Sequence, residues 1–195
     1  CGGLSLGFQK SGYAIVGAFD SWDPAIECYN LNLASIAHKL DLSKKNTSLK
    51  IIRPFAPEVI IGGPPCQGFS RLNYWDKDRD NDPRNKLFYQ YLRFVEELQP
   101  KAILIENVKN ILVAKDGFAL KTITSILNSL GYNVSHSIVC AADFGVPQLR
   151  ERAIFVALKQ EYGYFDFKSL EKYRVPQVTV YEAISDIAAI EDVAK

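Results

Sequence analysis

A cysteine at the end of a predicted strand is the residue whose chemistry stands out first. Cys66 follows the apolar run 59–63, which is typical of a buried strand, and lies in the segment Pro64-Pro65-Cys66-Gln67-Gly68-Phe69-Ser70. Ligands of open α/β sheets bind outside the carboxyl ends of the strands. The thiol is therefore a candidate nucleophile, although a free cysteine in a Pro-rich turn can equally be a buried structural residue.

A carboxyl group follows another apolar run. Glu106 comes directly after residues 102–105, which are predicted to form a strand. If this strand lies parallel to the one before Cys66, both side chains meet at the same edge of the sheet. Glu106 can then act as a proton donor. The alternative is a glutamate that caps a helix.

Three side chains with several donors each alternate near the end of the chain. Gln148, Arg150 and Arg152 are predicted to share one face, because alternate residues of an extended segment point the same way. Such a face suits a phosphate or a pyrimidine carbonyl. The alternative is a solvated, charged edge strand.

The start of the chain has residues typical of a nucleotide site. Cys1-Gly2-Gly3 precedes an apolar helix, as in the Gly-rich turn of nucleotide-binding folds. Asp20 follows a predicted strand and can either accept ribose hydroxyls or cap a helix. Trp22 can stack on a purine or cover the core, and Asp41 can meet an adenine amino group or lie in an exposed turn.

Strand and helix patterns alternate along the chain, which favours an α/β sheet that is parallel at first. The predicted strands are 13–19, 36–42, 58–61, 102–105, 132–140 and 152–158. The predicted helices are 23–34, 48–55, 87–98 and 117–130. Residues 71–84 are polar and predict a loop, and the absence of a helix between the last two strands predicts that they pair antiparallel.

Composition limits the function classes. The 195 residues suffice for one domain, and a net charge of +1 neither demands nor excludes a nucleic-acid partner. The four cysteines lack metal-ligand or redox spacing, so we expect no metal site and a reducing compartment. No apolar stretch is long enough to span a membrane, so we expect no membrane partner.

Together, and in this order, the motifs resemble those of the cytosine-5 DNA methyltransferase family. The matching segments are Cys1-Gly2-Gly3-Leu4, Asp20 to Trp22, Asp41, Pro64-Pro65-Cys66-Gln67, Asp82-Pro83-Arg84 through Leu87-Phe88, Glu106-Asn107-Val108, and Gln148-x-Arg150-x-Arg152. The resemblance implies a Rossmann-like, S-adenosylmethionine-dependent methyltransferase fold of the α/β class, with a mostly parallel sheet and an antiparallel final hairpin.

The same resemblance implies roles for individual residues. The implied catalytic residues are Cys66, Glu106, Arg150 and Arg152. The implied contacts of S-adenosyl-L-methionine are Cys1, Gly3, Leu4, Asp20, Ser21, Trp22, Asp41, Leu42, Pro64 and Leu87. The implied substrate contacts are Gln67, Ser70, Arg84 and Gln148.

The implied reaction is methyl transfer to C5 of a cytosine flipped out of double-stranded DNA, through a covalent bond between Cys66 and C6. The implied setting is a bacterial restriction-modification system, in the cytoplasm and associated with the nucleoid. One alternative is a tRNA cytosine-5 methyltransferase, whose Cys-Phe-Thr tripeptide is absent from this sequence. The other is an inactive DNA-binding regulatory homologue, against which the presence of Cys66, Glu106 and Arg152 argues.

The family pattern also implies segments that the sequence does not contain. An aromatic residue and a glycine are expected just before Cys1, together with a first strand, and a target-recognition region is expected after the last motif. We therefore expect residues 1–195 to be a catalytic, cofactor-binding domain truncated at its N-terminus. Target recognition would come from a C-terminal region or a second subunit.

Overall fold

The computed structural model describes residues 1–65 and 83–188, which form alternating helices and strands. The strands are β1 Ala18–Asp20, β2 Ala37–Lys39, β3 Val59–Gly62, β4 Ala102–Val108, β5 Tyr132–Cys140 and β6 Glu151–Lys159. The helices are α1 Gly3–Lys10, α2 Asp23–Asn32, α3 Lys45–Ile52, α4 Pro83–Leu98, α5 Ala114–Ser129 and α6 Val180–Ala188. Short 3₁₀ turns follow α3, β4, β5 and β6.

Local sequence explains several element ends. Proline is tolerated in the first turn of a helix, and Pro24 and Pro83 lie in the first turns of α2 and α4. Gly131 follows α5 with a φ of 83°, a left-handed conformation that favours glycine. In β4, Ile103, Ile105 and Asn107 are buried while their neighbours are more exposed, as the two-residue period of a strand requires.

The strands form two sheets of the α/β class. β1 pairs with β2 in parallel, and the larger sheet has the order β3-β4-β6-β5. Within it β3 and β4 are parallel, whereas β6 runs antiparallel to both β4 and β5. The α/β, Rossmann-like expectation and the antiparallel final hairpin are therefore confirmed. The larger sheet is mixed, because the antiparallel strand β6 inserts between β4 and β5.

Helix α4 packs against both sheets. Its residues Phe88, Leu92 and Val95, spaced four and three apart, join a core with side chains of β4, α5 and β6. Phe94 and Leu98 of the same helix join a second core with Leu40 and residues of α3. One helix thus fixes the two sheets relative to each other.

A cavity of about 900 Å³ lies between the sheets. Its walls include residues of β1 and β3, and neither strand pairs with the other in the part of the chain described. At the carboxyl ends of these strands the cavity reaches Gly3, Asp20 and Glu106. The cavity therefore opens at the edge where the sequence motifs converge. None of the described helices is long and apolar enough to cross a bilayer.

The boundaries of several elements differ from those predicted. The predicted strand 13–19 begins only at Ala18, and residues 13–17 line the cavity instead of pairing with a neighbour. The predicted strand 36–42 is shortened to Ala37–Lys39. The predicted helix 87–98 begins four residues earlier, at Pro83, so Arg84 belongs to a helix rather than to a loop. Residues 71–82 of the predicted loop lie outside the described part.

Candidate active site

Two arginines converge on one carboxylate at the carboxyl edge of the larger sheet. Glu106 Oε1 lies 3.0 Å from Arg152 Nε and 3.4 Å from Arg150 Nη2. The side chains of Glu106 and Arg152 are about three-quarters buried, whereas Arg150 is more exposed, at 44%. The partly buried pair combines charge attraction with a guanidinium hydrogen bond, the stronger kind of polar contact.

The strand register explains why these side chains meet. Glu106 pairs with Ile154, and Val108 pairs with Arg152, so Arg152 is the diagonal neighbour of Glu106 on one face of the sheet. The second ion pair, between Lys109 and Glu151, lies beside it. Around Glu106 itself, two guanidinium groups face one carboxylate, which favours an anionic or carbonyl-bearing ligand.

Two glycines make room at the end of β3. A Cβ atom at Gly62 would stand 2.9 Å from the Tyr91 ring, and one at Gly63 would stand 3.2 Å from Glu106 Oε2. Burial raises the pKa of the Tyr91 hydroxyl well above its usual range, and this hydroxyl donates to the carbonyl of Leu104. The glycines thus allow Tyr91 to pack from one side and the Glu106 carboxylate from the other.

A buried amide holds the turn that leads to the cysteine. Asn107 is 6% exposed; its Nδ2 donates to the carbonyl of Pro64 at 2.9 Å, and its Oδ1 accepts the backbone N–H of Val108 at 2.9 Å. Pro64 itself is buried. Cys66, Gln67 and Ser70 lie outside the described residues, so their predicted roles stay predictions.

A second group of turns lies at the ends of β1 and β2. The Asp20 side chain accepts the backbone N–H of Trp22 at 2.9 Å, and the Asp20 carbonyl accepts the N–H of Leu40 at 2.8 Å. Trp22 is 64% exposed, which leaves its ring accessible to a ligand. The turn after β1 is therefore hydrogen-bonded to the segment that leads to Asp41.

The carboxylate of Asp41 is held by its own turn. Its Oδ1 accepts the hydroxyl of Ser43 at 2.6 Å and the backbone N–H of Ser43 at 3.0 Å. These two hydrogen bonds, with a smaller contribution from Lys44, lower the pKa of Asp41 below its usual range. Asp41 therefore presents an ionised, acceptor-only group near neutral pH.

The cavity brings together about half of the residues predicted to contact the cofactor. Those that line it are Cys1, Gly3, Leu4, Asp20 and Leu42, together with the catalytic candidates Glu106 and Arg150. Ser21, Trp22, Asp41, Pro64 and Leu87 are not part of the described lining, and their contacts stay predictions. Ser21, Asp41 and Pro64 adjoin lining residues in the chain, whereas Trp22 does not, and Leu87 lies on α4.

The predicted common face of Gln148, Arg150 and Arg152 is formed only in part. The backbone N–H groups of Gln148 and Arg150 bond to carbonyls two residues back, at 2.7 and 2.8 Å, so this segment bends before β6 begins at Glu151. Arg150 and Arg152 still reach Glu106, whereas Gln148 is exposed before the bend. Arg84 lies in the first turn of α4, and its side chain is outside the part described.

Three structural residues were given no individual role by the sequence. Gly2 has a φ of 89°, and a Cβ there would lie 2.3 Å from Leu33. Asn107 and Gly63 fix the turn after β3. Positive φ at Gly2 has a sequence signal in the Gly-Gly pair before a helix, but the contacts of Asn107 and Gly63 depend on strand pairing.

Comparisons with known proteins agree with this arrangement. A family model described as C-5 cytosine-specific DNA methylase matches residues 1–194. The type II methyltransferase M.FnuDI of Fusobacterium nucleatum is 39% identical over 170 residues, which cover 86% of this chain and 47% of that protein. The type II methyltransferase M.HgiDI of Herpetosiphon aurantiacus is 36% identical over 156 residues, which cover 80% of this chain and 48% of that protein.

A solved structure has the same fold. The crystal structure of the S. pombe Dnmt2 methyltransferase superposes with a TM-score of 0.71 at 26% sequence identity, over 89% of this chain and 51% of that one. The chain thus spans about half the length of the relatives it matches.

Proposed function

Because the chain belongs to the C-5 cytosine-specific DNA methylase family, we propose that it transfers a methyl group to C5 of cytosine in DNA. The observation that carries this proposal is the cluster of Glu106, Arg152 and Arg150 at the sheet edge, next to the turn that leads to Cys66. A carboxyl group and guanidinium groups on one side of a pocket match the N3, amino and O2 positions of a pyrimidine.

Proteins of this family use S-adenosylmethionine, which supplies an electrophilic methyl group on a sulfonium centre. The residues present fit this cofactor: at the carboxyl edge of the cavity, Gly3 leaves open space beside it and Asp20 offers acceptor oxygens. We propose that Asp20 holds the ribose, that Trp22 stacks on the purine and that Asp41 meets its amino group.

We propose the following roles at the cytosine. The Cys66 thiolate adds to C6, and the electron pair released into the ring makes C5 nucleophilic. Glu106 hydrogen-bonds N3 and the amino group, and the two arginines hold O2 and stabilise the charge that develops on the ring. C5 would then take the methyl group as its bond to the sulfonium sulfur breaks, with S-adenosylhomocysteine as the leaving group; a base removes the C5 proton, and the Cys66 thiolate leaves.

Gln67, Ser70, Arg84 and Gln148 are proposed contacts of the nucleic acid. We expect these side chains to lie around the mouth of the pocket, because the target base must leave the duplex and enter the pocket before it reacts. Their types, which are amides, a hydroxyl and a guanidinium, are those that bind phosphate and base edges.

DNA is the substrate we propose, in a bacterial restriction-modification system. The type II methyltransferases among the relatives support this choice over the tRNA alternative, and the intact Glu106–Arg152 pair supports an active enzyme over an inactive homologue. Cytoplasmic location and association with the nucleoid are proposals that follow from this function.

The domain organisation is also a proposal. We propose that these residues are the catalytic, cofactor-binding domain and that target recognition lies in a further region or a second subunit. The share of the relatives that the chain spans, about half, supports this division. The apolar part of the cavity between β1 and β3, which Cys1 also lines, supports the prediction of a further strand before Cys1.

Transfer of a tritium-labelled methyl group tests the proposal. The complete protein should label duplex DNA and leave tRNA unlabelled, and Cys66→Ser should abolish labelling while the affinity for S-adenosylhomocysteine changes less than about threefold. Labelling of tRNA alone would replace the DNA substrate by the RNA alternative. Labelling by Cys66→Ser at the wild-type rate would remove Cys66 from the mechanism.

A further inference from the structure

Apart from tyrosines, the buried polar side chains among the described residues are Ser48 and Asn107, and both hold turns at the edge of the site. Asn107 binds the carbonyl of Pro64, as described above. Ser48 of α3 has no exposed surface, and its hydroxyl donates to the carbonyl of Asp41 at 2.9 Å. Burying a hydroxyl without a hydrogen-bond partner costs free energy, and the Asp41 carbonyl supplies that partner. Ser48 therefore ties α3 to the backbone of the Asp41 turn.

The Asp41 turn is anchored at several points. Leu40 donates its N–H to Asp20, Ser43 donates to the Asp41 carboxylate, and the Asp41 carbonyl accepts both the N–H of Lys44 at 3.1 Å and the hydroxyl of Ser48. Among these contacts, only that of Ser48 comes from a buried side chain of another element. Serine is a weak helix former, and at this position its polar atom satisfies a loop rather than the helix.

We propose that Ser48 is a positioning residue for the purine half of the cofactor: it holds the backbone of the Asp41 turn so that the Asp41 carboxylate faces the exocyclic amino group. The inference rests on the proposed function, in which Asp41 meets that group. Ser48 itself touches no part of the ligand, because it lies inside α3 beneath the turn.

The chemistry of Asp41 makes this positioning specific. Like any ionised aspartate near neutral pH, Asp41 is an acceptor only, and the hydrogen bonds from Ser43 keep its pKa below the usual range. It attracts a 6-amino group, which donates, and repels a 6-oxo group, which accepts. A turn that is held in place therefore discriminates between the two purines, and a loosened turn loses this discrimination.

Two ligands and three variants of the complete protein test the role by calorimetry. The ligands are S-adenosylhomocysteine and its 6-oxo analogue S-inosylhomocysteine. Ser48→Ala removes the hydroxyl, and Ser48→Cys keeps nearly the same volume with a much weaker donor. Ile123→Val is the control, because it thins a core side chain in α5 that is 1% exposed and belongs to the other core.

We expect the wild type to bind the adenosyl compound at least about tenfold more tightly than the inosyl compound, by roughly the energy of one good hydrogen bond. Ser48→Ala and Ser48→Cys should weaken the adenosyl compound about fivefold and the inosyl compound less than twofold. Ile123→Val should lower the melting temperature and leave the ratio of the two affinities unchanged.

An unchanged ratio in a Ser48 variant that still binds would overturn the positioning role and leave the proposed function standing. Equal weakening of both ligands would do the same, because it indicates a general loss of structure. If Ser48→Ala does not fold, Ser48→Cys decides alone. A wild-type protein that binds neither ligand would instead contradict the proposed function.

Discussion

Replacing Asn107 by alanine should damage stability and catalysis together, because one amide holds both strand β4 and the turn before Cys66. The substitution removes the donor to the Pro64 carbonyl and the acceptor of the Val108 N–H, both at 2.9 Å. An unsatisfied buried carbonyl costs about 1–3 kcal/mol, and the lost bond to the half-buried amide costs about 1 kcal/mol more. The expected loss is about 2–4 kcal/mol, or about 4–16 °C in Tm for a chain of this size.

The catalytic effect follows from the position of Pro64 in the chain, two residues before Cys66, the proposed nucleophile. Misplacement of a reacting group by about 1 Å costs on the order of a hundredfold in rate, and we expect a fall of that size in single-turnover methyl transfer per folded molecule. Asn107→Asp should lose at least as much activity, since it sets a carboxylate oxygen against the Pro64 carbonyl.

Asn133→Ala is the matched control. Asn133 also lies in a strand, and its Nδ2 donates to the carbonyl of Gly163 at 3.1 Å, at the opposite end of β5 from the site. This variant should lose stability and keep the wild-type rate. Urea unfolding and methyl incorporation, measured on the same preparations, separate the two effects. An Asn107→Ala variant that is destabilised but methylates at the wild-type rate would contradict the inference that Asn107 positions the turn before Cys66 for catalysis.

Three further perturbations follow from the contacts of the site and of α6. Gly63→Ala places a Cβ 3.2 Å from Glu106 Oε2, so the carboxylate must shift by a few tenths of an ångström. Single-turnover methylation should then fall about tenfold. A wild-type rate would show that this close contact does not set the position of the carboxylate during the reaction. Arg152→Lys keeps the charge and loses the Nε contact to Glu106, so kcat should fall about tenfold or more while the melting temperature changes little. An unchanged kcat would contradict the proposed role of Arg152 at O2 of the cytosine. Glu182 accepts hydrogen bonds from the backbone N–H and the hydroxyl of Thr179, and these bonds lower the pKa of Glu182 below its usual range. The ionised carboxylate therefore stabilises the start of α6 near neutral pH. Protection of α6 against hydrogen exchange should be lost as the pH falls through the lowered pKa of Glu182. Glu182→Gln should therefore differ from the wild type at pH 7 and match it in acid, and a difference independent of pH would count against the capping role.

The sequence predicts the class of fold and the edge of the sheet where the site lies, because both depend on local patterns. The apolar runs before Cys66 and Glu106 end at the same edge, as the parallel pairing of β3 and β4 requires. The short connection alone predicts the final hairpin, and its strand Tyr132–Cys140 has the expected bounds. The apolar run 13–19 predicts too long a strand, because an apolar run becomes a strand only where a neighbouring strand pairs with it.

The sequence does not predict contacts that arise only when distant elements meet. Alternation placed Arg150 and Arg152 on one face, but their common partner Glu106 is 44 and 46 positions away and is brought near by the register of β4 and β6. Ser48 and Asn107 look like ordinary polar residues in the sequence. Their roles appear only when burial shows that each hydroxyl or amide has a backbone carbonyl as its partner.

If cytosine is methylated through a covalent bond to Cys66, as proposed, that bond can be trapped on a modified duplex. In a duplex that contains 5-fluorocytosine at the target position, fluorine replaces the hydrogen at C5. The base then has no C5 proton to remove, so the adduct persists after methyl transfer. The complete protein, incubated with this duplex and S-adenosylmethionine and then digested, should yield one cross-linked peptide, with the base on Cys66. An adduct on another residue, or methylation of normal DNA without any adduct on the fluorinated duplex, would contradict the account.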